Sequence, residues 1–354
     1  MRFIEKYSNF LLMLFWVGVQ LTLYCYFGFV TGFEGAKYLE DAQIFNDTFE
    51  VNSFRVFYLA YPLIILFFLK LKIGLWGVLA MQLIVNALAT YSFYLLTKLL
   101  YNSNIIQFLL TVSFIFCFQI QMWNFFLFTE SFFTSGLIIL TYLLMHGINS
   151  WKKSLSISLL FITLSFIRPN GVLLILPIVA YYLFNIKSIK NRLQLLPVFI
   201  SIIVIFGANI FLNDSNLVDF VSMAWQNAWI IWGYDSGLDS LSDSTLLYGA
   251  KLIGYRLLYY FSMERPYFSD FHNILIISYY PIYLLSVFGI YPLYKKNLPF
   301  FTFLASLITI YSVFTVFTFI NWHGRFIVPI LPFFILLSGA GLSRFIGTDE
   351  AKKN

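Results

Sequence analysis

The sequence predicts an all-α membrane protein, a polytopic bundle of about ten transmembrane helices with interfacial helices in its first outer loop. Three observations lead to this prediction. Hydrophobic residues make up 60% of the 354 residues and charged residues only 11%, whereas about a quarter of a typical soluble domain is charged. Apolar runs near the roughly 20 residues needed to cross a bilayer follow one another along the chain. The basic residues are distributed among the connecting loops as the positive-inside rule requires.

This composition excludes a soluble globular protein, a disordered chain and a disulfide scaffold. Cys25 and Cys117 form no CxxC pair, so neither a structural zinc site nor a redox motif is expected. His272 and His323 have no HExxH motif or close acidic ligand pair around them. The sequence therefore indicates no cofactor and leaves only a divalent cation open. The net charge of +6 bears on topology, and no nucleic-acid partner is expected.

Ten apolar runs are the predicted spans. The first is too long for the apolar core of a signal peptide, and we expect it to remain as a transmembrane helix. An eleventh run, 56–71, is shorter and contains Tyr61-Pro62. The ten predicted spans are 9–30, 74–100, 104–121, 131–147, 155–167, 172–186, 194–213, 273–292, 298–320 and 326–343.

The basic loops determine how the run 56–71 is placed. If it crossed the membrane, the loops with Lys152-Lys153 and Lys295-Lys296 would lie outside, against the positive-inside rule. If it lies in the interface or dips in and returns, these loops and the basic stretch 187–192 are cytoplasmic, as are both termini. The charge pattern therefore favours an interfacial run and ten crossings.

The same topology defines one domain over residues 1–354 with two outer loops. The first outer loop is 31–72 and holds the interfacial helices, and the second, 214–272, is expected to cap a site. All but three of the 16 carboxylates fall at this outer face. Because acidic residues have little influence on topology, this asymmetry indicates a polar functional apparatus on one side of the membrane.

The first candidate cluster follows directly after the first predicted helix. Glu34 stands just above the apolar region and is our candidate general base, which would accept a proton from a substrate hydroxyl. An ordinary solvated loop with several acids is the alternative. Five further residues of this loop belong to the predicted site, namely Lys37, Tyr38 and Arg55 as substrate-loop residues, and Glu40 and Asp41 as fallback acids.

Three further ionisable residues adjoin apolar runs. Glu130 is either a functional group at membrane depth or a carboxylate favoured by a helix N-terminus. Arg168 lies between two runs and is predicted to bind an anion such as phosphate, with snorkelling to head groups as the alternative. Arg325 precedes the last run, where anchoring at the interface is the simpler interpretation.

These residues come from distant parts of the chain, yet the predicted topology brings them to one face. Carboxylates suit the activation of a hydroxyl, and guanidiniums suit the stabilisation of a phosphate leaving group. The combination indicates group transfer from a lipid-linked phosphate donor.

In these residues the chain resembles the C superfamily (GT-C) of integral membrane glycosyltransferases. The most similar members are the protein O-mannosyltransferases and the lipid A aminoarabinose transferase type. The resemblance covers roughly residues 10–345 and is thin between 214 and 320. Five motifs stand in the family's order, namely Glu34 before Tyr38-Leu39-Glu40-Asp41-Ala42, Arg55 before Tyr61-Pro62-Leu63, Thr129-Glu130, Arg168-Pro169-Asn170-Gly171, and Arg325 before Pro329 and Pro332.

The resemblance implies an inverting transfer of a sugar from a polyprenyl-phosphate donor to a hydroxyl of a lipid, glycan or protein. It places Glu34 at the position of the base, where most relatives have Asp, and places Arg168 near the donor phosphate. Glu130 and Arg325 are carried over as further site residues. A bacterial cytoplasmic membrane with the site on its outer face is the implied location.

Two other functions remain open on the sequence. A transporter or flippase for a lipid-linked saccharide would also need polar groups in the membrane, although no internal repeat of the kind common in transporters is evident. A polysaccharide polymerase or ligase would use similar chemistry on a longer donor. A purely structural membrane protein would have no need of Glu130 or Arg168.

Overall fold

The computed structural model is built almost entirely from helices. It describes residues 2–49, 53–147, 150–185, 199, 201–203, 207, 222–231, 234–235, 245–262, 268–318 and 324–346. The α-helices are α1 Arg2–Phe27, α2 Glu34–Thr48, α3 Ala60–Lys70, α4 Leu75–Leu100, α5 Asn104–Ile115, α6 Phe118–Gln121, α7 Glu130–Met145, α8 Trp151–Ile167, α9 Ile175–Asn185, α10 Thr245–Ser262, α11 Asp270–Ile277, α12 Tyr280–Lys296, α13 Leu298–Thr318 and α14 Leu331–Ile346.

Shorter elements connect these helices. Within the described ranges the 3₁₀ helices are Ser53–Tyr58, Met122–Phe125, Pro169–Leu174 and Val328–Ile330. In the second outer loop the strands β1, Trp229–Ile231, and β2, Tyr234–Asp235, pair in an antiparallel hairpin.

The described part of the chain is that of an integral membrane protein. Five helical segments are long and apolar enough to cross a bilayer, and a sixth consists of two helices bent by 52° at a break. The five are Tyr7–Phe27, Leu75–Leu100, Asp270–Lys296, Leu298–Thr318 and Val328–Ile346, and the bent pair is Asn104–Ile115 with Phe118–Phe125. An all-α membrane bundle is thus confirmed.

The remaining predicted spans correspond to helices with fewer residues than a full span, or lie largely outside the described residues. The runs 131–147 and 172–186 correspond to the apolar helices Glu130–Met145 and Pro169–Asn185, which have fewer residues than a full span. The run 155–167 corresponds to α8, of 17 residues. The run 194–213 lies largely outside the described residues.

The run 56–71 forms a helix that is too short to cross. Helix α3 has 11 residues, which at 1.5 Å per residue is about 16 Å, roughly half of the hydrocarbon thickness. It buries Tyr61 and Ile65 and packs against α2 and α4. This length is what the charge pattern led us to expect of an interfacial helix.

Helices α12 and α14 pack with their backbones in close contact. A Cβ added to Gly289 would lie 2.0 Å from the carbonyl oxygen of Leu337, and one added to Gly341 would lie 2.1 Å from that of Leu285. Small residues allow such an approach between membrane helices. The contact fixes α14, whose N-terminal end follows the Arg325 segment.

Arg256 of α10 anchors the second outer loop to the bundle. Its guanidinium donates to the carbonyl oxygens of Trp229, Val316 and Ala224 at 2.9, 3.0 and 3.1 Å, and it lies 5.0 Å from the ring centroid of Trp225. Burial lowers the pKa of Arg256 to about 10, so the group stays charged at neutral pH. One side chain therefore joins the hairpin and the segment before it to the end of α13.

We expect Arg256→Lys to lower the free energy of unfolding by about 3 kcal/mol, because an ammonium cannot reach three carbonyl groups in a fork and leaves buried acceptors unpaired. Thermal unfolding in detergent, followed by loss of the monodisperse peak in size-exclusion chromatography, measures the effect. The exposed Arg344 provides the matched control, and an equal loss in Arg344→Lys would contradict the anchoring role.

Candidate active site

A backbone bridge fixes the position of Glu34 beside the membrane helices. The amide of Val30 donates to Phe125 O at 2.8 Å, and the amide of Leu127 donates to Val30 O at 2.9 Å. A Cβ added to Gly35 would lie 3.0 Å from Cβ of Leu127, so the start of α2 packs directly on this segment. Glu34, the first residue of α2, is thereby held near Glu130.

A buried polar network supports the segment that receives this bridge. Nε2 of Gln82 donates to the carbonyl oxygens of Asn124 and Phe126 at 2.9 and 3.0 Å, and Tyr61 donates to Oε1 of Gln82 at 2.9 Å. Ser131 donates to Oδ1 of Asn124 at 2.6 Å. The network ties the Met122–Phe125 turn to the start of α7, where Glu130 lies.

The Arg168-Pro169-Asn170-Gly171 motif forms a tight turn between α8 and the next 3₁₀ helix. Arg168 has extended backbone angles and ends α8, and Pro169 opens the 3₁₀ helix. A Cβ added to Gly171 would lie 2.3 Å from the carbonyl oxygen of Leu164, so only glycine fits against α8 here. Tyr311 of α13 donates to Asn170 O at 2.8 Å, which fixes the turn from the other side.

The four charged residues meet at this point. Glu130 is fully buried, and its Oε1 accepts from Nε of Arg325 and lies 3.1 Å from Nη1 of Arg168. Nη1 of Arg325 lies 2.8 Å from Oε2 of Glu34. The chain of charges therefore runs from Arg168 through Glu130 and Arg325 to Glu34, whose side chain is 42% exposed.

The two guanidiniums differ in their surroundings. Arg168 is 2% exposed, and its Nε and Nη1 have no hydrogen-bond acceptor among the described residues. Arg325 is surrounded by the rings of Trp123, Phe128 and Phe326, with centroids 5.3–6.0 Å from its Cζ. Burial would lower the pKa of Arg325, but Glu130 and Glu34 raise it above its usual range. Neither guanidinium snorkels to head groups.

Tyrosines of the first outer loop pack beside the charges. The ring of Tyr38 lies 5.8 Å from that of Tyr58 and 5.2 Å from that of Tyr61. Burial raises the pKa of Tyr38 well above its usual range, and Tyr58 and Glu34 raise it further. Tyr38 is thus a neutral residue of the site.

A cavity of about 360 Å³ opens beside Glu34 and Arg325. Five of the residues that line it are Phe or Trp, and Gln119, Trp123 and His272 supply polar atoms. A second, apolar groove of about 560 Å³ lies between α1 and α11. Met122 and His272 line both spaces, so the polar cavity and the apolar groove are adjacent.

The other predicted residues lie further from the charges. Lys37 and Glu40 are exposed on α2, and Asp41 is half-buried two turns beyond Glu34. Arg168 does not line the cavity. It contacts the other charged residues of the site through Glu130. The side chain of Arg55, and His323, lie outside the described residues.

Sequence reasoning missed the residues that shape the cavity. Gln119 and Trp123 stand in an apolar stretch and give no pattern that marks them, and no ligand motif surrounds His272. His272 stacks on Phe268 with centroids 4.1 Å apart and meets Phe118 edge-on at 5.1 Å. The signal that the sequence does offer is an amide side chain, Gln119, and an indole, Trp123, within a stretch rich in Phe.

Within the described ranges, no group of three His, Cys, Asp or Glu residues could hold a metal ion. The two thiols, Cys25 and Cys117, are free. The chain matches no protein-family model and no curated protein.

Proposed function

We propose that this protein is a membrane glycosyltransferase that moves a sugar from a polyprenyl-phosphate donor to an acceptor hydroxyl, with inversion at the anomeric carbon. The observation that carries the proposal is the arrangement around Arg325. This guanidinium joins a fully buried carboxylate, Glu130, to a partly exposed one, Glu34, at the edge of a cavity. A cation for a phosphate and a carboxylate for a proton are thus adjacent.

Glu130 holds Arg325 in place. A fully buried carboxylate between two guanidiniums accepts a charge-assisted hydrogen bond from Arg325 and forms an ion pair with Arg168. Arg325 makes its contact with Glu34 through one Nη atom, and a donor phosphate would compete for that atom. Binding of the phosphate would then release the Glu34 carboxylate for its role as base.

The proposed reaction is a single displacement. Glu34 accepts the proton of the acceptor hydroxyl as the hydroxyl oxygen forms its bond to the anomeric carbon of the donor. The bond between that carbon and the phosphate oxygen breaks, and the electron pair leaves with the polyprenyl phosphate. Arg325 stabilises the departing phosphate, with Arg168 acting through Glu130. One displacement inverts the anomeric configuration.

The apolar groove suits the lipid chain of such a donor. It is lined by residues of α1 and α11 that include the lipid-exposed Leu14 and Phe271, of which 47% and 70% are exposed. Because the groove adjoins the polar cavity at Met122 and His272, a prenyl chain in it would bring its phosphate to the charged cluster. The geometry favours a lipid-linked donor over a soluble sugar nucleotide.

The helix directions support ten crossings with the site on the outer face. Helix α8 ends before Arg168, and α7 begins at Glu130, so both have one end at the site. If the chain reverses direction at each connection, α1, α4, α5 with α6, α7, α8, the stretch Pro169–Asn185, α11 with α12, α13 and α14 supply nine crossings from the described residues. The tenth in this proposal is the predicted run 194–213, which lies largely outside the described residues. The ends away from the site carry Lys98, Lys152, Lys153, Lys295, Lys296 and Arg344, as the positive-inside rule requires of a cytoplasmic face.

Cysteine labelling tests this topology. In a Cys25→Ser, Cys117→Ser background, cysteines at the exposed residues Lys37 and Lys152 are expected to react with a membrane-impermeant maleimide from opposite sides. In intact bacterial cells, the cysteine at position 37 should react fully and that at position 152 only after permeabilisation. Labelling of both positions from one side would contradict the ten-crossing topology.

The activity is tested directly with membranes that contain the chain and a panel of polyprenyl-phosphate hexoses and pentoses. We expect at least one donor to lose its sugar with release of polyprenyl phosphate, and the Glu34→Gln variant to leave that donor intact. A donor that crosses the bilayer without cleavage would favour a flippase instead. No difference between wild type and variant across the panel would refute the proposal.

A further inference from the structure

The cavity beside Glu34 contains two buried donors for which the described part of the chain supplies no acceptor. Nε2 of Gln119 and Nε1 of Trp123 have no hydrogen-bond partner among the described residues. Their side chains are only 7% and 5% exposed, and both residues line the cavity. Because buried N–H groups are almost always paired, each such group calls for a ligand or water that satisfies it.

The residues that line the cavity indicate which class of ligand it binds. Phe33, Phe126, Phe128 and Phe268 line the same space as the two donors. Aromatic faces pack well against the C–H faces of a sugar ring, while N–H donors pair with its hydroxyl groups. An apolar ligand would leave both donors unsatisfied, and a phosphate would be drawn instead to the guanidinium of Arg325.

The size of the cavity agrees with a small head group. Its volume of about 360 Å³ is near the lower limit of small-molecule sites. That space would otherwise hold roughly a dozen water molecules. Its position between Arg325 and the apolar groove places a ring there next to both the phosphate and the base.

We propose that this cavity is the sugar-binding site and that Gln119 and Trp123 are specificity-determining residues, which donate hydrogen bonds to hydroxyl groups of one sugar ring. This inference rests on the proposed function and adds to it the residues that recognise the sugar. His272 borders the same cavity and the lipid groove, so it stands where the sugar and its lipid carrier would meet.

The test compares two families of probes on the detergent-solubilised full chain, in a zwitterionic detergent without sugar head groups. One probe is a short prenyl phosphate, and the others are the same prenyl phosphate carrying glucose, galactose, mannose or N-acetylglucosamine. The quantity measured is the ratio of the Kd of the sugar-free probe to that of the glycosylated probe. We expect a ratio of about ten or more for at least one sugar, as one or two good hydrogen bonds would give.

Trp123→Phe removes the N–H but keeps an aromatic ring, and Gln119→Met keeps the side-chain length without a donor. Each substitution is expected to lower the ratio by about five- to tenfold. Trp151→Phe, an equivalent change at an exposed residue, should leave it unaltered. Thermal unfolding of each variant verifies that it is folded.

The outcomes separate the two proposals. A wild-type ratio of one for all four sugars, or a ratio that both substitutions leave unchanged, overturns the sugar site while prenyl-phosphate binding still supports the proposed function. Absence of binding by every probe overturns the proposed function, and the sugar site with it.

Discussion

The Glu34→Gln variant is expected to lose sugar transfer by roughly 10²–10⁴ in kcat, the usual contribution of a general base. Glutamine keeps the size and the hydrogen-bonding oxygen of the side chain but cannot accept the proton of the acceptor hydroxyl. Because 42% of the Glu34 side chain is exposed, the substitution should leave the fold intact. Initial rates at saturating donor, with thermal unfolding measured on the same sample, separate the two effects.

Helix α2 provides a matched control for this variant. Glu40 lies on the same helix, carries the same charge and is exposed, so Glu40→Gln should retain full activity. Asp41→Asn should also retain most of it, since Asp41 lies two helical turns beyond Glu34 on α2. Loss of transfer in either control with an active Glu34→Gln would move the base to that acid and contradict the assignment made here.

The membrane character of the fold could be predicted from hydropathy alone, because a bilayer imposes its requirement on composition directly. The short helices could not be placed with the same accuracy. Helix α7 has 16 residues and begins at Glu130, and α8 has 17 residues and ends just before Arg168. The local sequence does not reveal that these two helix ends meet.

The charged residues of the site could also be found from the sequence, because an ionisable group beside an apolar run is costly and therefore informative. The pairing of these residues could not be predicted from the sequence. Glu130 and Arg325 are 195 positions apart and meet only through tertiary packing. The family resemblance implies a position for Arg168 near the donor phosphate; in the structure Arg168 contacts Glu130 and does not line the cavity.

The residues that line the cavity could not be recognised from the sequence, because aromatic residues are common throughout the chain. In a chain with 21% aromatic residues, Trp123 and Phe128 do not stand out as site residues. Two long-range features select them, namely the bridge from Val30 to the 125–127 segment and the bonds from Gln82 that hold the preceding turn. Such contacts connect residues far apart in sequence and leave no local pattern.

Removal of the Glu130 carboxylate is expected to have the largest effect on stability. In Glu130→Gln the guanidinium of Arg168 remains buried without a carboxylate, and that of Arg325 keeps only Glu34. Breaking a buried ion pair in this way costs roughly 3–5 kcal/mol. Thermal unfolding in detergent should therefore shift strongly downward, and Glu40→Gln, which removes an equal but exposed charge, should shift it little.

A double-mutant cycle distinguishes the ion pair from simple loss of packing. Arg168→Gln alone should cost less than Glu130→Gln, because Glu130 keeps its pair with Arg325. The double variant Glu130→Gln, Arg168→Gln should be more stable than the sum of the two losses predicts, since it removes a buried cation together with its counter-ion. Strict additivity would mean that the two side chains act independently, and the charge chain from Arg168 to Glu34 would then not be a unit.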